Sequence, residues 1–295
     1  MAPKTFSDTT LGILLFLAAW AVVPNMDVAA KLLGQWGYPV AMIVWVRFAA
    51  SLVILSPALL TRRRDIFKPP QEAGKHVFRA LLLMAATFGF FTGLKTMALA
   101  DALATYFVYP FLVTALSPLF LGEHPGWRRW TAVGFGFIGS LIVIRPSLDG
   151  LPVGTLFVLG AALAFAGYNL LTRGLRGGGD PWRTLAFQSL IGFLAMSVAV
   201  PFFWKTPDAT ALAMFALIGV AATLGHYMLI RAYSLAPAPV LAPYAYAEII
   251  TATLLSYLVF GDFPDAWTWT GVAVIAASGI VIAIRERQAP SDTQA

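Results

Sequence analysis

The sequence predicts an all-α polytopic membrane protein, with ten transmembrane helices that form two inverted five-helix repeats around a central cavity. Three observations support this fold class: the composition, the spacing of the apolar runs and an internal repeat. Of the 295 residues, 59% are hydrophobic and only 12% are charged, and the mean hydropathy is +0.77. Soluble domains carry about 25% charged residues. A soluble surface made with half that number would expose large apolar patches, so we expect this chain to be embedded in a membrane.

Ten apolar runs are separated by charged or Pro/Gly-rich breaks. Each is close to the roughly 20 residues that a helix needs to cross the hydrocarbon core. The first run could be a cleaved signal peptide, but Asp8 offsets Lys4 and apolar sequence continues past residue 23, so we expect it to be retained. The continuously apolar runs lack the alternation typical of a membrane β-barrel. The predicted spans cover residues 10–32, 39–60, 77–98, 102–121, 130–145, 152–172, 182–203, 210–230, 240–260 and 267–284.

The basic residues are distributed unequally between the two ends of these spans. With the amino terminus placed in the cytoplasm, 15 of the 20 lysines and arginines fall on the cytoplasmic side and four on the other, while Arg47 lies inside a span. Short loops that carry an excess of Lys and Arg stay in the cytoplasm. We therefore expect a multi-pass protein of a bacterial inner (plasma) membrane, with both termini cytoplasmic. The net charge of +6 is then a topology signal, and nucleic-acid binding is not expected.

The two halves of the chain resemble each other. Residues 109–133 align without a gap on residues 248–272, and the shared turn has the pattern G-[ED]-x-P followed by W-T. This similarity predicts one repeat over residues 1–147 and a second over 148–295, each with five spans. Because five is odd, the second repeat would enter the membrane from the opposite side. Inverted repeats are typical of secondary transporters, which alternate access to a site at the midplane; duplication without alternating access, as in some channels, is the alternative.

The same segments resemble a known family. Trp20 in span one, Arg47-Phe48 in span two, and the segments LKTMALADALATYFVYPFLVTALSPLFLGE and IRAYSLAPAPVLAPYAYAEIITATLLSYLVFGD are similar to the EamA-domain branch of the drug/metabolite transporter superfamily. Within it, the chain resembles the YddG-type exporters of aromatic and other neutral amino acids. The resemblance implies ten helices around a central cavity and transport without ATP hydrolysis. The glutamate-proline pair of the fourth and ninth helices is split here, since Tyr109-Pro110 keeps the proline and Glu248-Ile249 keeps the acid.

Three titratable side chains are expected at membrane depth. Charged groups there cost several kcal/mol, so each requires a partner or a function. Arg47 and Glu248 both lie about nine residues into their spans, and each is either satisfied structurally or exposed to the cavity. His226 lies deep in span eight, as a hydrogen-bonded packing residue or a proton relay. Asp27, Asn25 and Asn169 could offer polar contacts to an amino or carboxyl group.

Aromatic residues recur in spans one, four, six and nine. Tyr106 and Tyr109, like Phe165 and Tyr168, are three residues apart and so share a helix face. Spans four and nine are repeat mates, as are one and six, so a cavity on the pseudo-axis would be aromatic and suit a small amphipathic or aromatic solute. The alternative is that these rings face lipid or pack in the core. The predicted cavity residues are Trp20, Tyr106, Tyr109, Phe165, Tyr168, His226, Tyr244 and Glu248.

These features predict an exporter of small metabolites, with amino acids as the leading candidates, that works by alternating access. An importer or an exporter of drugs or other metabolites on the same scaffold is the alternative. A membrane-embedded enzyme is not expected, because the three histidines are scattered at positions 76, 124 and 226. We expect no cofactor and no metal, and as partners a small-molecule substrate and the lipid bilayer. The oligomeric state is open, and a monomer is compatible with the sequence.

Overall fold

The described part of the chain is built from α-helices. The computed structural model describes residues 8–61, 72–122, 127–145, 151–175, 181–236 and 238–288, and these contain no β-strand. The helices are α1 (Asp8–Gln35), α2 (Val40–Thr61), α3 (Ala73–Gly93), α4 (Leu99–Tyr106), α5 (Tyr109–Leu121), α6 (Trp127–Ile144), α7 (Val153–Gly174), α8 (Pro181–Ala199), α9 (Ala209–Leu235), α10 (Ala247–Phe260) and α11 (Ala266–Gln288).

These helices confirm the predicted all-α polytopic membrane fold. Seven candidate spans are long and apolar enough to cross a membrane, and three shorter apolar helices lie at residues 133–144, 244–260 and 266–278. Large apolar side chains are exposed on the outside of the bundle, with Leu119 at 80% and Val198 at 72% exposure. Such a surface suits lipid better than water.

Two predicted spans are interrupted, and proline explains both breaks. The fourth span bends between α4 and α5 at Phe107 and Val108, directly before Pro110. The ninth begins as a helical turn, Ala238–Leu241, and a 3-10 segment, Ala242–Tyr246, that contains Pro243, so α10 starts only at Ala247. Proline lacks the N–H that an α-helix requires and clashes with the preceding turn. The predicted ninth span, residues 240–260, is therefore helical in separate pieces.

The helix pairs have a regular arrangement. Helix α1 packs against α9 and α3 packs against α7, while α1 also contacts α10 and α5 contacts α7. Helix α2 packs against α8, and α6 packs against α11. Exchanging the first five spans with the last five converts α1–α9 into α3–α7 and α1–α10 into α5–α7, and it leaves α2–α8 and α6–α11 unchanged. This exchange is the packing pattern that two pseudo-symmetric halves produce.

Glycine allows the backbones of some pairs to approach closely. A Cβ atom on Gly89 of α3 would lie 2.9 Å from the carbonyl oxygen of Phe157 and 3.2 Å from the Cβ of Ala161, both on α7. Small residues at such contacts are typical of helix packing in membranes. The absence of a side chain at Gly89 thus allows α3 and α7 to pack closely. Phe90 and Phe91, the next residues of α3, line the cavity described below.

Two basic residues counted with the loops are buried in the bundle. Arg79 lies inside α3 with 3% exposure and within the predicted third span, residues 77–98, although it was counted with the basic residues of the cytoplasmic side. Lys31 lies in α1 with 6% exposure. Ring faces lie near both cations, Tyr168 at 5.8 Å from the Arg79 guanidinium carbon and Phe260 at 4.4 Å from the Lys31 ammonium.

Candidate functional site

A cavity of about 650 Å³, counting the space that opens to the surface, lies between the helices. Its wall takes residues from α1, α2, α3, α4, α5, α7, α9 and α10. The lining residues are Trp20, Val23, Met26, Asp27, Arg47, Leu83, Ala86, Thr87, Phe90, Phe91, Leu103, Tyr106, Tyr109, Phe165, His226, Leu229 and Glu248.

One side of the cavity is an aromatic wall formed by Phe90, Tyr106, Tyr109 and Phe165. The Tyr106 ring centroid lies 5.0 Å from Phe90 and 5.5 Å from Phe165, and the Tyr109 ring meets the edge or face of Phe165 at 4.8 Å in a T-shaped arrangement. The break between α4 and α5 places both tyrosines on the cavity surface. Faces and edges of these rings offer stacking contacts to a planar group.

Trp20 of α1 extends the aromatic surface and adds a hydrogen-bond donor. Its ring packs edge-on against Phe16, with centroids 5.6 Å apart. The indole Nε1 is buried and has no hydrogen-bond partner in the described part of the chain. A buried N–H without an acceptor is costly, so this donor is available to a bound molecule.

Arg47 of α2 is held by neutral acceptors. Its Nη1 donates to the Thr87 hydroxyl, and its Nη2 lies 3.2 Å from His226 Nε2. The His226 Nδ1 donates to the Ala222 carbonyl oxygen at 2.8 Å. Because an arginine only donates and a carbonyl only accepts, His226 must be the neutral tautomer with its proton on Nδ1. Arg47 therefore keeps its positive charge without an ion pair within 4.0 Å among the described residues.

Two carboxylates face the same cavity. Asp27 of α1 is 3% exposed and Glu248, in the first turn of α10, is 8% exposed. Among the described residues, no donor forms a hydrogen bond with either carboxylate. The charge of Asp27 interacts with both Arg47 and Glu248 at longer range. Glu248 also lies at a helix N-terminus, where the backbone dipole favours a negative charge.

The structure brings seven of the nine side chains singled out in the sequence to this cavity. Arg47 lines it, together with Trp20, Tyr106, Tyr109, Phe165, His226 and Glu248. Tyr168 lies behind Phe165, stacked on it at 5.6 Å, and its hydroxyl donates to Gln188 at 3.4 Å. Tyr244 lies in the 3-10 segment, 37% exposed and away from the lining residues.

The three other polar candidates from the sequence lie in different environments. Asn25 and Asn169 donate to carbonyl oxygens one turn earlier in their own helices, at 2.9 and 2.7 Å. Asp27 is the one of the three that reaches the cavity. Thr87 and Phe90 of α3 were not singled out, although a threonine in an otherwise apolar run of span three was a usable signal.

The loop between α10 and α11 carries two aspartates that form ion pairs outside the cavity. Lys31 of α1 contacts Asp262 at 3.0 Å, just after α10. Arg145, after α6, contacts Asp265, which precedes α11. Thr268 of α11 donates to Asp101 of α4 at 2.9 Å. These contacts connect the helix ends and leave the cavity carboxylates unpaired.

The chain matches the EamA-like transporter family over residues 10–145 and 152–284. It belongs to that family. The match confirms the family resemblance and the assignment as a transporter that is not an enzyme. It also confirms a multi-pass membrane protein.

Named relatives describe the cargo of similar proteins. The chain is 26% identical over 290 residues to the S-adenosylmethionine uptake transporter of Rickettsia bellii, covering 98% of each chain. It is 28% identical over 266 residues to the riboflavin transporter of Vibrio cholerae, covering 88% of this chain and 87% of that protein. The structure superposes on a solved crystal structure with a TM-score of 0.67 at 16% identity, covering 96% of this chain and 99% of that one.

The family and the named relatives show that this EamA-like transporter carries a small metabolite. Its relatives' names do not support amino-acid export and fit the importer alternative better.

Proposed function

We propose that this EamA-like transporter carries a small heteroaromatic metabolite into the cell, with S-adenosylmethionine as the first candidate. The observation that supports it best is the aromatic wall, where three rings lie with centroids 4.8–5.5 Å apart beside the cavity. A purine or a flavin stacks on such a surface in any of several registers. The inward direction rests on the relatives named for S-adenosylmethionine uptake.

The route across the membrane is alternating access between inverted halves. Its support is the exchange symmetry of the helix pairs, in which α1 with α9 corresponds to α3 with α7. The breaks before Pro110 and at Pro243 lie in corresponding spans, and the helices that follow them bring Tyr109 and Glu248 to the cavity. Interrupted helices in both repeats are typical of transporter binding sites. The biased distribution of basic residues supports a cytoplasmic location for both termini in this arrangement.

Riboflavin is the second candidate, because a neutral tricyclic ring would use the same aromatic wall and a relative is named for it. Substrate uptake into proteoliposomes distinguishes these cargoes. Radiolabelled S-adenosylmethionine, riboflavin and phenylalanine are offered in turn to the purified chain in vesicles without ATP. We expect saturable uptake of the heteroaromatic cargo and little competition from phenylalanine. Saturable flux of phenylalanine alone, a requirement for ATP or no flux of any of the three would overturn the proposal.

The aromatic surface that Trp20 adds to the cavity is tested with two tryptophan variants. Trp20→Ala removes a ring that lines the cavity, and loss of one stacking contact costs about 1–3 kcal/mol. We expect the KM for cargo to rise about tenfold. Trp45→Phe is the control, because Trp45 packs against Phe193 at 5.3 Å away from the lining residues, and its KM should stay within about twofold.

A further inference from the structure

The charges that line the cavity do not balance. Asp27 and Glu248 contribute two carboxylates, and Arg47 contributes one guanidinium. His226 is held neutral by its two hydrogen bonds. The cavity wall is therefore left with one negative charge in excess when both acids are ionised. An uncompensated charge at this depth costs several kcal/mol.

No group of the described chain is placed to remove this charge. Arg47 gives its two terminal nitrogens to Thr87 and His226, which are neutral. The buried Lys31 is paired with Asp262 outside the cavity. Neither carboxylate accepts a hydrogen bond from the described residues, and their oxygens are not among the enclosed polar atoms without a partner, so both are open to the cavity. A ligand that brings its own cation would supply what the wall lacks.

The aromatic wall suits a cation as well as a planar ring. The Tyr106 side chain lines the cavity together with Asp27, Glu248 and Arg47. Its ring and that of Phe165, with centroids 5.5 Å apart, both belong to the cavity wall. Ring faces attract ammonium and sulfonium groups, most strongly where water is excluded.

We propose that the cargo binds through a positively charged group held between Asp27 and Glu248 beside the Tyr106 ring. This inference rests on the proposed function and narrows it from heteroaromatic metabolites to cationic or zwitterionic ones. Arg47 has no ion pair among the described residues and is then available for a carboxylate of the same molecule. The unpartnered Trp20 Nε1 offers a donor to its heterocycle. S-Adenosylmethionine has a sulfonium, an ammonium, a carboxylate and a purine, whereas riboflavin has no cation.

The experiment measures equilibrium binding of S-adenosylmethionine and riboflavin to the purified full chain in detergent, for wild type, Asp27→Asn and Asp101→Asn. Asp27→Asn keeps the shape and removes the charge. Asp101→Asn is the control, because Asp101 is a partly buried carboxylate of α4 that accepts from Thr268 outside the cavity. We expect Asp27→Asn to weaken S-adenosylmethionine binding at least about tenfold, because truncating one partner of a buried charge pair costs several kcal/mol. Riboflavin binding should stay within about twofold of the wild-type value. Asp101→Asn should change neither.

The thermal stability of the empty protein gives a second readout. Removing a buried unpaired charge should raise the unfolding temperature of ligand-free Asp27→Asn, while the additional stabilisation by S-adenosylmethionine shrinks. A carboxylate with a purely structural role would instead lower the unfolding temperature when changed. Glu248→Gln, measured in parallel, should weaken S-adenosylmethionine binding in the same direction and serves if Asp27→Asn does not fold.

The outcomes separate this inference from the proposed function. If riboflavin binds and is transported while Asp27→Asn and Glu248→Gln leave all affinities unchanged, the transport function stands and the cation site is overturned. If neither heteroaromatic cargo binds or is transported, the proposed function itself fails. S-Adenosylhomocysteine, which lacks the sulfonium and keeps the ammonium, identifies the bound cation. A loss of affinity in Asp27→Asn for both compounds assigns the ammonium, and a loss for S-adenosylmethionine alone assigns the sulfonium.

Discussion

The ammonium of Lys31 and the carboxylate of Asp262 lie 3.0 Å apart although the two residues are 231 positions apart in the chain. Lys31 belongs to α1, and Asp262 is the second residue after α10. The Lys31 side chain is 7% exposed and that of Asp262 is 42% exposed. The pair therefore joins the end of the first span to the end of the ninth, on the side of the bundle opposite to the amino terminus of α1.

Neutralising Asp262, whose partner Lys31 is buried, should destabilise the protein more than neutralising an acid whose ion pair is fully exposed. Asp262→Asn leaves the buried ammonium with the Phe260 ring as its main neighbour. We expect a loss of about 1–2 kcal/mol in the free energy of unfolding, below the value for a fully buried pair because Asp262 is partly exposed. The control is Glu72→Gln, which breaks the exposed pair with Lys75 and should cost less than about 0.5 kcal/mol. Equal effects in detergent unfolding would contradict this assignment.

A methyl group at Gly89 should separate α3 from α7. Its Cβ would meet backbone at 2.9 Å, which a packed interface accommodates only by moving a helix. We expect Gly89→Ala to lower the free energy of unfolding by about 1–3 kcal/mol. Gly160→Ala, on the exposed side of α7 with no atom within 4 Å of the added Cβ, is the control and should not be destabilised. Thermal unfolding in one detergent compares them, and similar midpoints for the two variants would count against the close contact.

The acid at the start of α11 should add stability that depends on pH. The backbone N–H of Thr268 and then the Arg145 guanidinium lower the pKa of Asp265 from 3.8 to about 2. Because the folded pKa lies below the unfolded one, this stabilisation is present above pH 4 and is lost as the pH falls towards 2. The difference in unfolding temperature between wild type and Asp265→Ala should be constant from pH 5 to 7 and shrink between pH 4 and 2. A difference that grows on acidification would reverse the assigned sign.

Replacing His226 with another hydrogen-bond acceptor should preserve most of the protein's stability, whereas replacing it with an apolar residue should not. His226→Leu leaves an Arg47 N–H without a partner, and hydrogen bonds to charged groups contribute about 1.5–3 kcal/mol. We expect a loss of that size in the free energy of unfolding. His226→Gln, whose amide oxygen can accept from Arg47, should recover at least half of it. Chemical denaturation of the two variants provides the measurement, and equal losses would show that Arg47 does not depend on this acceptor.

The sequence was sufficient to predict the spans, because a run of about 20 apolar residues has few structural alternatives to a membrane helix. It also placed Arg47, Glu248 and His226 at membrane depth, and the cost of burying such groups made them conspicuous. The i, i+3 rule located Tyr106 and Tyr109 on one face, and both reach the cavity.

Other features depend on how the helices are rotated against each other. Tyr168 shares a face with Phe165 but lies behind it, because the approach of α8 provides Gln188 for its hydroxyl. Tyr244 was predicted inside a helix, and the local 3-10 geometry turns it to the outside. The partner of Lys31 follows another helix by two residues, and nothing local to Lys31 indicates it. Such pairings become visible only when the bundle is assembled.

The proposed transport cycle requires the cavity to be a cargo site that is reached in turn from both sides of the membrane. The chain has no cysteine, so a single introduced thiol reports accessibility without background. Ala86→Cys places the thiol on the cavity wall, and Ala80→Cys places it at a fully buried position of the same helix away from the lining residues. The measurement is labelling by a membrane-impermeant thiol reagent in right-side-out and inside-out vesicles. We predict labelling of Ala86→Cys from both sides, slowed by S-adenosylmethionine, and no labelling of Ala80→Cys; labelling from one side alone, or labelling that cargo does not slow, would contradict the claim.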